Sequence, residues 1–136
     1  MMIGLPGDNF EKSLKTAKEN IELKAKNTRI YPTLVVKDTL LEKLYIQGKY
    51  KPLSLEEAVY QSKEIYRLFE KNHVNVIRVG LHQIEEFNSG EFLIAGPYHK
   101  SFKELVMTEI WFDILTDLKL HKSEKEYKIS INKTQL

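Results

Sequence analysis

The chain has 136 residues, enough for one domain with a real core, and 21 lysines and arginines against 19 aspartates and glutamates leave a net charge of only +2. An excess that small, spread along the chain, gives no basis for nucleic-acid or anionic-membrane binding from charge alone. The absence of cysteine excludes disulfides, thiolate zinc sites, cysteine nucleophiles and a thiolate-held metal cluster within these residues.

The first five residues, Met-Met-Ile-Gly-Leu, are apolar and stop at a Gly/Pro/Gly turn, which predicts a short buried strand. Asp8 or Asn9 caps a helix that places Phe10, Leu14, Ala17 and Ile21 on one face. Residues 28–36 are β-branched and aromatic and predict a second strand. A short helix over 39–47 stops at Gly48. Ser54-Leu-Glu-Glu57 has capping-box spacing and opens a longer helix to about residue 72. Leu55, Ala58, Val59, Ser62, Tyr66 and Phe69 form its inner stripe. Residues 74–81 predict a third strand, with Val74, Val76, Ile77 and Val79 buried and Arg78 the exception.

Residues 82–101 read as a long irregular stretch containing Asn88-Ser-Gly90 and Gly96-Pro97. Residues 102–118 predict a helix with Phe102, Leu105, Val106, Ile110 and Ile114 inward. Tyr127, Ile129 and Ile131 alternate with Lys128 and Ser130 as in a half-buried strand, followed by a fraying tail. Alternating strands and helices predict an α/β fold with parallel pairing. No apolar run reaches the ~18 residues that span a bilayer. The N-terminus also lacks a signal peptide's basic region and cleavage site, so a cytoplasmic protein with no membrane partner is expected.

Candidate chemistry is sparse. Gly4-Leu-Pro-Gly7 sits at a strand-to-helix turn whose amides suit an anion, but Asp8 opposes one and a structural turn is favoured. His73, His82, His99 and His121 are far apart; Tyr98-His99, after Gly96-Pro97, is the best placed for an ordered loop to present. Arg78 needs an acidic or phosphate partner if it points inward, and either Glu85 or Glu86 or a ligand meets that need. Tyr31, Tyr45, Tyr50, Tyr60 and Tyr66 resemble a base-stacking surface, although helical spacing makes Tyr45, Tyr60 and Tyr66 ordinary packing residues. The residues alone give an α/β domain without a visible reaction.

Six segments carry a family resemblance. Met1-Met-Ile-Gly-Leu-Pro-Gly-Asp8 resembles the fifth barrel strand and turn of radical S-adenosylmethionine (SAM) enzymes related to the catalytic subunit of Elongator. Arg29-Ile-Tyr-Pro-Thr-Leu-Val-Val-Lys-Asp-Thr39 resembles their sixth strand, and Leu44-Tyr-Ile-Gln-Gly-Lys-Tyr-Lys-Pro-Leu53 the segment after it. Val76-Ile-Arg-Val-Gly-Leu81, Ala95-Gly-Pro-Tyr-His99 and Glu104-Leu-Val106 are similar to the region beyond the barrel. A looser likeness is to oxygen-independent coproporphyrinogen dehydrogenases.

The resemblance implies a partial (βα) barrel of parallel strands, the C-terminal portion of a radical SAM barrel, plus a C-terminal helix and strand. Residues 1–38 would hold the last barrel strands and helix, and residues 39–136 the post-barrel region. It implies a [4Fe-4S] cluster and SAM for the parent enzyme, with Met2, Gly4, Tyr31, Pro32 and Leu34 beside the adenosyl group. Arg78, Tyr98 and His99 are the candidates for substrate. The cysteine loop is absent, so this chain alone is expected to be inactive and its partner to be the missing N-terminal half of the barrel. A tRNA or small-molecule substrate is expected, and the open edge at β-strand Met1–Leu5 is expected to pair with the terminal strand or a second copy. The alternative is a stand-alone binding module, for RNA among other ligands.

Overall fold

A computed structural model describes residues 1–81 and 92–121. The expected terminal strand at Tyr127, Ile129 and Ile131, the Asn88-Ser-Gly90 turn, His82, Glu85 and Glu86 lie outside those residues. In chain order the elements are β1 (Met2–Ile3), α1 (Phe10–Glu22), β2 (Asn27–Pro32), β3 (Val35–Val36), α2 (Leu40–Ile46), α3 (Leu55–Lys71), β4 (Asn75–Val79), β5 (Leu93–Ala95) and α4 (Phe102–His121).

The helices start where the sequence supplies an oxygen for their free amides. Asn9 Oδ1 accepts from the Lys12 amide at 2.9 Å, and Thr39 Oγ1 accepts from the Glu42 amide at 3.2 Å. At α3 the capping box is closed in both directions: Ser54 N–H donates to Glu57 Oε2 at 2.7 Å, and Glu57 N–H donates to Ser54 Oγ at 3.1 Å.

Three strands form a parallel sheet in the order β1-β2-β4, so the sheet runs across residue 38. Parallel neighbours require crossovers, which α1 and α3 provide. Both helices pack on one face, where Ile3, Ile30, Ala17, Ile65 and Phe69 reach zero exposure and join Val74 in one core cluster. α4 joins the same side through Val79, Ala58, Val59, Phe102 and Val106. Its middle is clasped to α3 by charge as well. Lys63 Nζ lies 2.8 Å and Arg67 3.1 Å from one Asp113 carboxylate oxygen.

The structure revises the sequence expectations in four places. The strand expected over 28–36 breaks after Pro32, and Val35–Val36 pairs instead with β5 in an antiparallel ribbon. That β5 strand lies inside the stretch read as irregular. Ile77 is 54% exposed, because a register shift between Thr28 and Arg29 puts two residues of β4 between the helix-facing Val76 and Val79. Ile114 is exposed too, in an α4 segment where Trp111, Phe112, Leu115 and Leu118 share the same fate. A helix apolar on every side gives no stripe from which to choose an inward face.

The described residues thus form a mixed α/β fold of one parallel three-stranded sheet and four helices; they do not close a barrel. Among them β1 pairs only with β2, leaving its outer edge bare. No helix among them is long and apolar enough to cross a membrane.

Candidate functional site

The first strand delivers the chain to a turn that satisfies itself. Asp8 turns its carboxylate back, accepting from the Gly4 amide at 3.0 Å, the Asn9 amide at 2.9 Å and Ser13 Oγ at 2.9 Å. The anion this turn suits is therefore its own side chain. Gly4 holds φ +74°, and a side chain there would meet Leu53 Cδ1 at 2.8 Å. Its carbonyl accepts from Tyr50 Oη at 2.6 Å. Burial and the nearby Asp8 charge push the Tyr50 hydroxyl up from its ordinary range, so it keeps the proton it donates.

Thr33 ties the next strand end to the first. Its amide and its Oγ1 both donate to the Ile3 carbonyl, at 3.0 and 2.7 Å. The amide bond is the next rung of the parallel ladder after Tyr31 N–H to the Met1 carbonyl, and the hydroxyl adds a second donor to the same oxygen at the strand end. Past it, Gly96 lies close against Leu34: a side chain there would bring its Cβ to 3.1 Å from Leu34 Cα and from the Thr33 carbonyl oxygen. That approach brings Tyr98 and His99 alongside Pro32 and Leu34, around a cavity of only about 10 Å³. The space is at the lower limit for one water. His99 Nδ1 accepts from the Ser101 amide at 3.1 Å, which makes Nε2 the nitrogen that carries the ring proton.

Met2 and Tyr31 are register partners on β1 and β2. Their neighbours Ile3 and Ile30 are buried against the helices, so alternation sends Met2 and Tyr31 to the opposite face. Met2 is 47% exposed and borders an open hollow of about 370 Å³ with Leu5, Pro6 and Asp8. Arg78 lies on that same bare face, paired in register with Arg29, a residue that sequence reasoning did not single out. Its only signal in the sequence was a second arginine in a second strand.

The expected site residues therefore fall into three groups. Pro32, Leu34, Tyr98 and His99 meet at the end of β2; Met2 and Tyr31 share the bare sheet face; and Arg78 stands farther down that face. Gly4 belongs to the turn, with its amide already engaged. Among the described residues, no group of three or more His, Asp or Glu side chains is arranged to hold a metal ion.

A one-sided parallel α/β sheet, with its candidate residues at the carboxyl ends of the strands and on the uncovered face, is the architecture of enzymes that bind ligands at strand ends. Residues 25–111, more than half of the chain, match the Radical_SAM C-terminal domain, and the chain belongs to that family. It is 40% identical over 53 residues to an uncharacterized protein of Methanocaldococcus jannaschii, covering 39% of this chain and 16% of that protein. It is 39% identical over 62 residues to the tRNA uridine(34) acetyltransferase of the same organism, covering 43% of this chain and 12% of that enzyme. The chain thus matches only a small part of the length of either relative. The Elongator-type resemblance is supported by these matches, and the looser coproporphyrinogen likeness gains no support from them.

Proposed function

We infer that this chain is the C-terminal portion of a radical SAM enzyme, and that the bare face of its parallel sheet lines the SAM and substrate pocket. The observation that carries the reading is the sheet's asymmetry within a chain of this family. Helices cover the face of Ile3 and Ile30, while among the described residues no helix is seen on the face of exposed Met2 and half-buried Tyr31. An arc of a parallel barrel has this form, with helices outside, strand side chains inside and the ligand at the carboxyl ends of the strands.

In this reading residues 1–38 contribute barrel strands and a helix, and residues 39–136 form the region that follows, except that β4 adds one more parallel strand to the same arc. Met2 and Tyr31 border the adenosyl group of SAM. Pro32 and Leu34 form the apolar backing behind it, and Gly4 fixes the turn that sets the height of Met2. Tyr98, His99 and Arg78 face the substrate, with His99 Nε2 available as a donor. The bare edge of β1 receives the preceding strand of the barrel, so the partner is the N-terminal half of the enzyme rather than a second copy.

The family implies a [4Fe-4S] cluster and SAM in the complete enzyme. The residues present do not fit the cluster, since the chain has no cysteine and its described residues form no metal group. Cofactors of this kind perform the electron transfer, and the protein positions them. The chain alone is therefore inert, and its contribution is to bind, orient and enclose. A tRNA substrate is favoured over a small molecule because a matched relative is named for a tRNA uridine.

The test is to incubate the purified chain anaerobically with iron, sulfide, dithionite and SAM. No 5′-deoxyadenosine is expected, while the Met2 methyl and Tyr31 ring resonances shift as SAM is added. Formation of 5′-deoxyadenosine would refute inertness, and unmoved Met2 and Tyr31 signals at high SAM would remove the pocket assignment.

A further inference from the structure

Arg29 and Arg78 occupy directly opposed positions on β2 and β4, on strands about 4.8 Å apart. Their chain neighbours Ile30 and Val79 are 0% and 5% exposed beneath the helices, so both arginine side chains leave the sheet on its bare face. β1, β2 and β4 contain no acidic residue. The ion pairs among the described residues involve Lys15, Lys63 and Arg67, and neither of these two arginines. Two like charges directly opposed across strands destabilise the pairing unless an anion lies between them.

The chemistry of that anion follows from the donors. Two planar guanidinium forks side by side offer two bidentate faces, and a phosphate has enough terminal oxygens and charge to accept from both. Ile77, 54% exposed on the same face, adds apolar surface beside the pair. We propose that Arg29 and Arg78 together form a phosphate-binding pair on the bare sheet face, the phosphate being a mono- or diester group of the ligand. This deepens the reading above by supplying the substrate side of that face with its charge, and it brings in Arg29 as a binding residue.

The test uses the chain itself and inorganic phosphate as the probe. The arginine Nε–Hε resonances are followed by NMR at fixed ionic strength, with acetate as the control anion. Saturable shifts are expected at Arg29 and Arg78, and the apparent affinity should fall at least tenfold in both Arg29→Gln and Arg78→Gln. Arg29→Lys and Arg78→Lys keep the charge but lose the fork, and should fall between, with circular dichroism confirming that each variant is folded. Linear, non-saturating shifts, an equal response to acetate, or full affinity in both glutamine variants would overturn the pair.

Competition then separates the sources. Displacement of phosphate by a short single-stranded RNA at lower phosphate concentration than adenosine monophosphate assigns a diester, and the reverse order assigns a monoester. Either order upholds the pair; failure of both to displace phosphate overturns it. Saturable phosphate binding without any SAM response at Met2 and Tyr31 would discard the cofactor pocket and keep the pair, and the opposite result would discard the pair alone.

Discussion

Ile3 and Ile77 are the same side chain in strands of the same small sheet, yet one is 0% and the other 54% exposed. The difference lies in the face each occupies. Beneath the helices, side chains from β1, β2, α1 and α3 interlock into a continuous core. On the other face, Met2, Ile77 and Arg29 are exposed and Arg78 is half-buried. Hydrophobic burial is non-directional and scales with the area removed from water, so a sheet in equilibrium with solvent ordinarily covers both faces or makes one polar. Among the described residues this sheet does neither: the face of Met2 and Ile77 mixes apolar and cationic groups, the composition that the proposed pocket requires.

The largest way to break the comparison is to cut into each face in turn. Phe69→Ala removes a fully buried ring from the covered side and should cost about 3–5 kcal/mol, enough to unfold a marginal domain. Ile77→Ser removes comparable chemistry from the bare side and should change stability by no more than about 0.5 kcal/mol. Urea midpoints of the two variants and the parent measure both. If Ile77→Ser proved nearly as costly as Phe69→Ala, the second face would be covered in solution and its role as an open pocket wall would fail.

A smaller contrast separates the turn that supports the site from the turn beside it. Gly4 and Gly7 both have positive φ, +74° and +76°, but a side chain at Gly4 collides with Leu53 whereas one at Gly7 meets nothing within 4 Å. Gly7→Ala should therefore cost only the left-handed backbone penalty, about 1–2 kcal/mol. Gly4→Ala should add overpacking of about 1–3 kcal/mol, and should also shift the Tyr50 hydroxyl signal, because that group is bonded to the Gly4 carbonyl. Equal costs for the two alanines would show that Leu53 yields freely and that the turn does not fix the position of Met2.

Much of the covered face was legible in the sequence. The Asn9 cap, the Ser54 and Glu57 box and the stripe of Ala58, Val59, Ser62 and Phe69 depend on local spacing, and local spacing is what a sequence displays. Ile65 escaped that stripe because α3 is wedged between α1 and α4 and so buries a wider arc than one neighbour would require. The same wedge accounts for Lys63, whose charge at 7% exposure is met by Asp113 from α4, fifty positions on. The bare face was harder to read. The departure of the chain after Pro32 goes with the pairing of Val35–Val36 to the distant β5, and the exposure of Ile77 with a bulge in the pairing of β4 with β2. Both are long-range events with no periodicity. Arg29 was overlooked for the same reason, since only the register shows that it stands opposite Arg78.

Titration gives the finest test of the covered side. Tyr66 packs against both core clusters at their junction and donates its hydroxyl to Glu70 Oε1 at 3.0 Å. Burial first, then the Glu70 hydrogen bond and charge, push its pKa up from 10.0 to about 12. Below about pH 10 both folded and unfolded chains hold this proton, and the contribution to stability is complete. Between 10 and about 12 the unfolded chain releases the proton while the folded chain keeps it, so stability falls as pH rises through that window. Tyr66→Phe removes the titrating group and should flatten the fall there. Some slope should remain because Tyr50 is also raised. Urea unfolding at stepped alkaline pH, with tyrosinate absorbance recorded in parallel, measures this directly. An unchanged slope in Tyr66→Phe would mean that this ring is as wet in solution as the groups on the bare face, and the contrast between the two sides of the sheet would have to be redrawn at its rim.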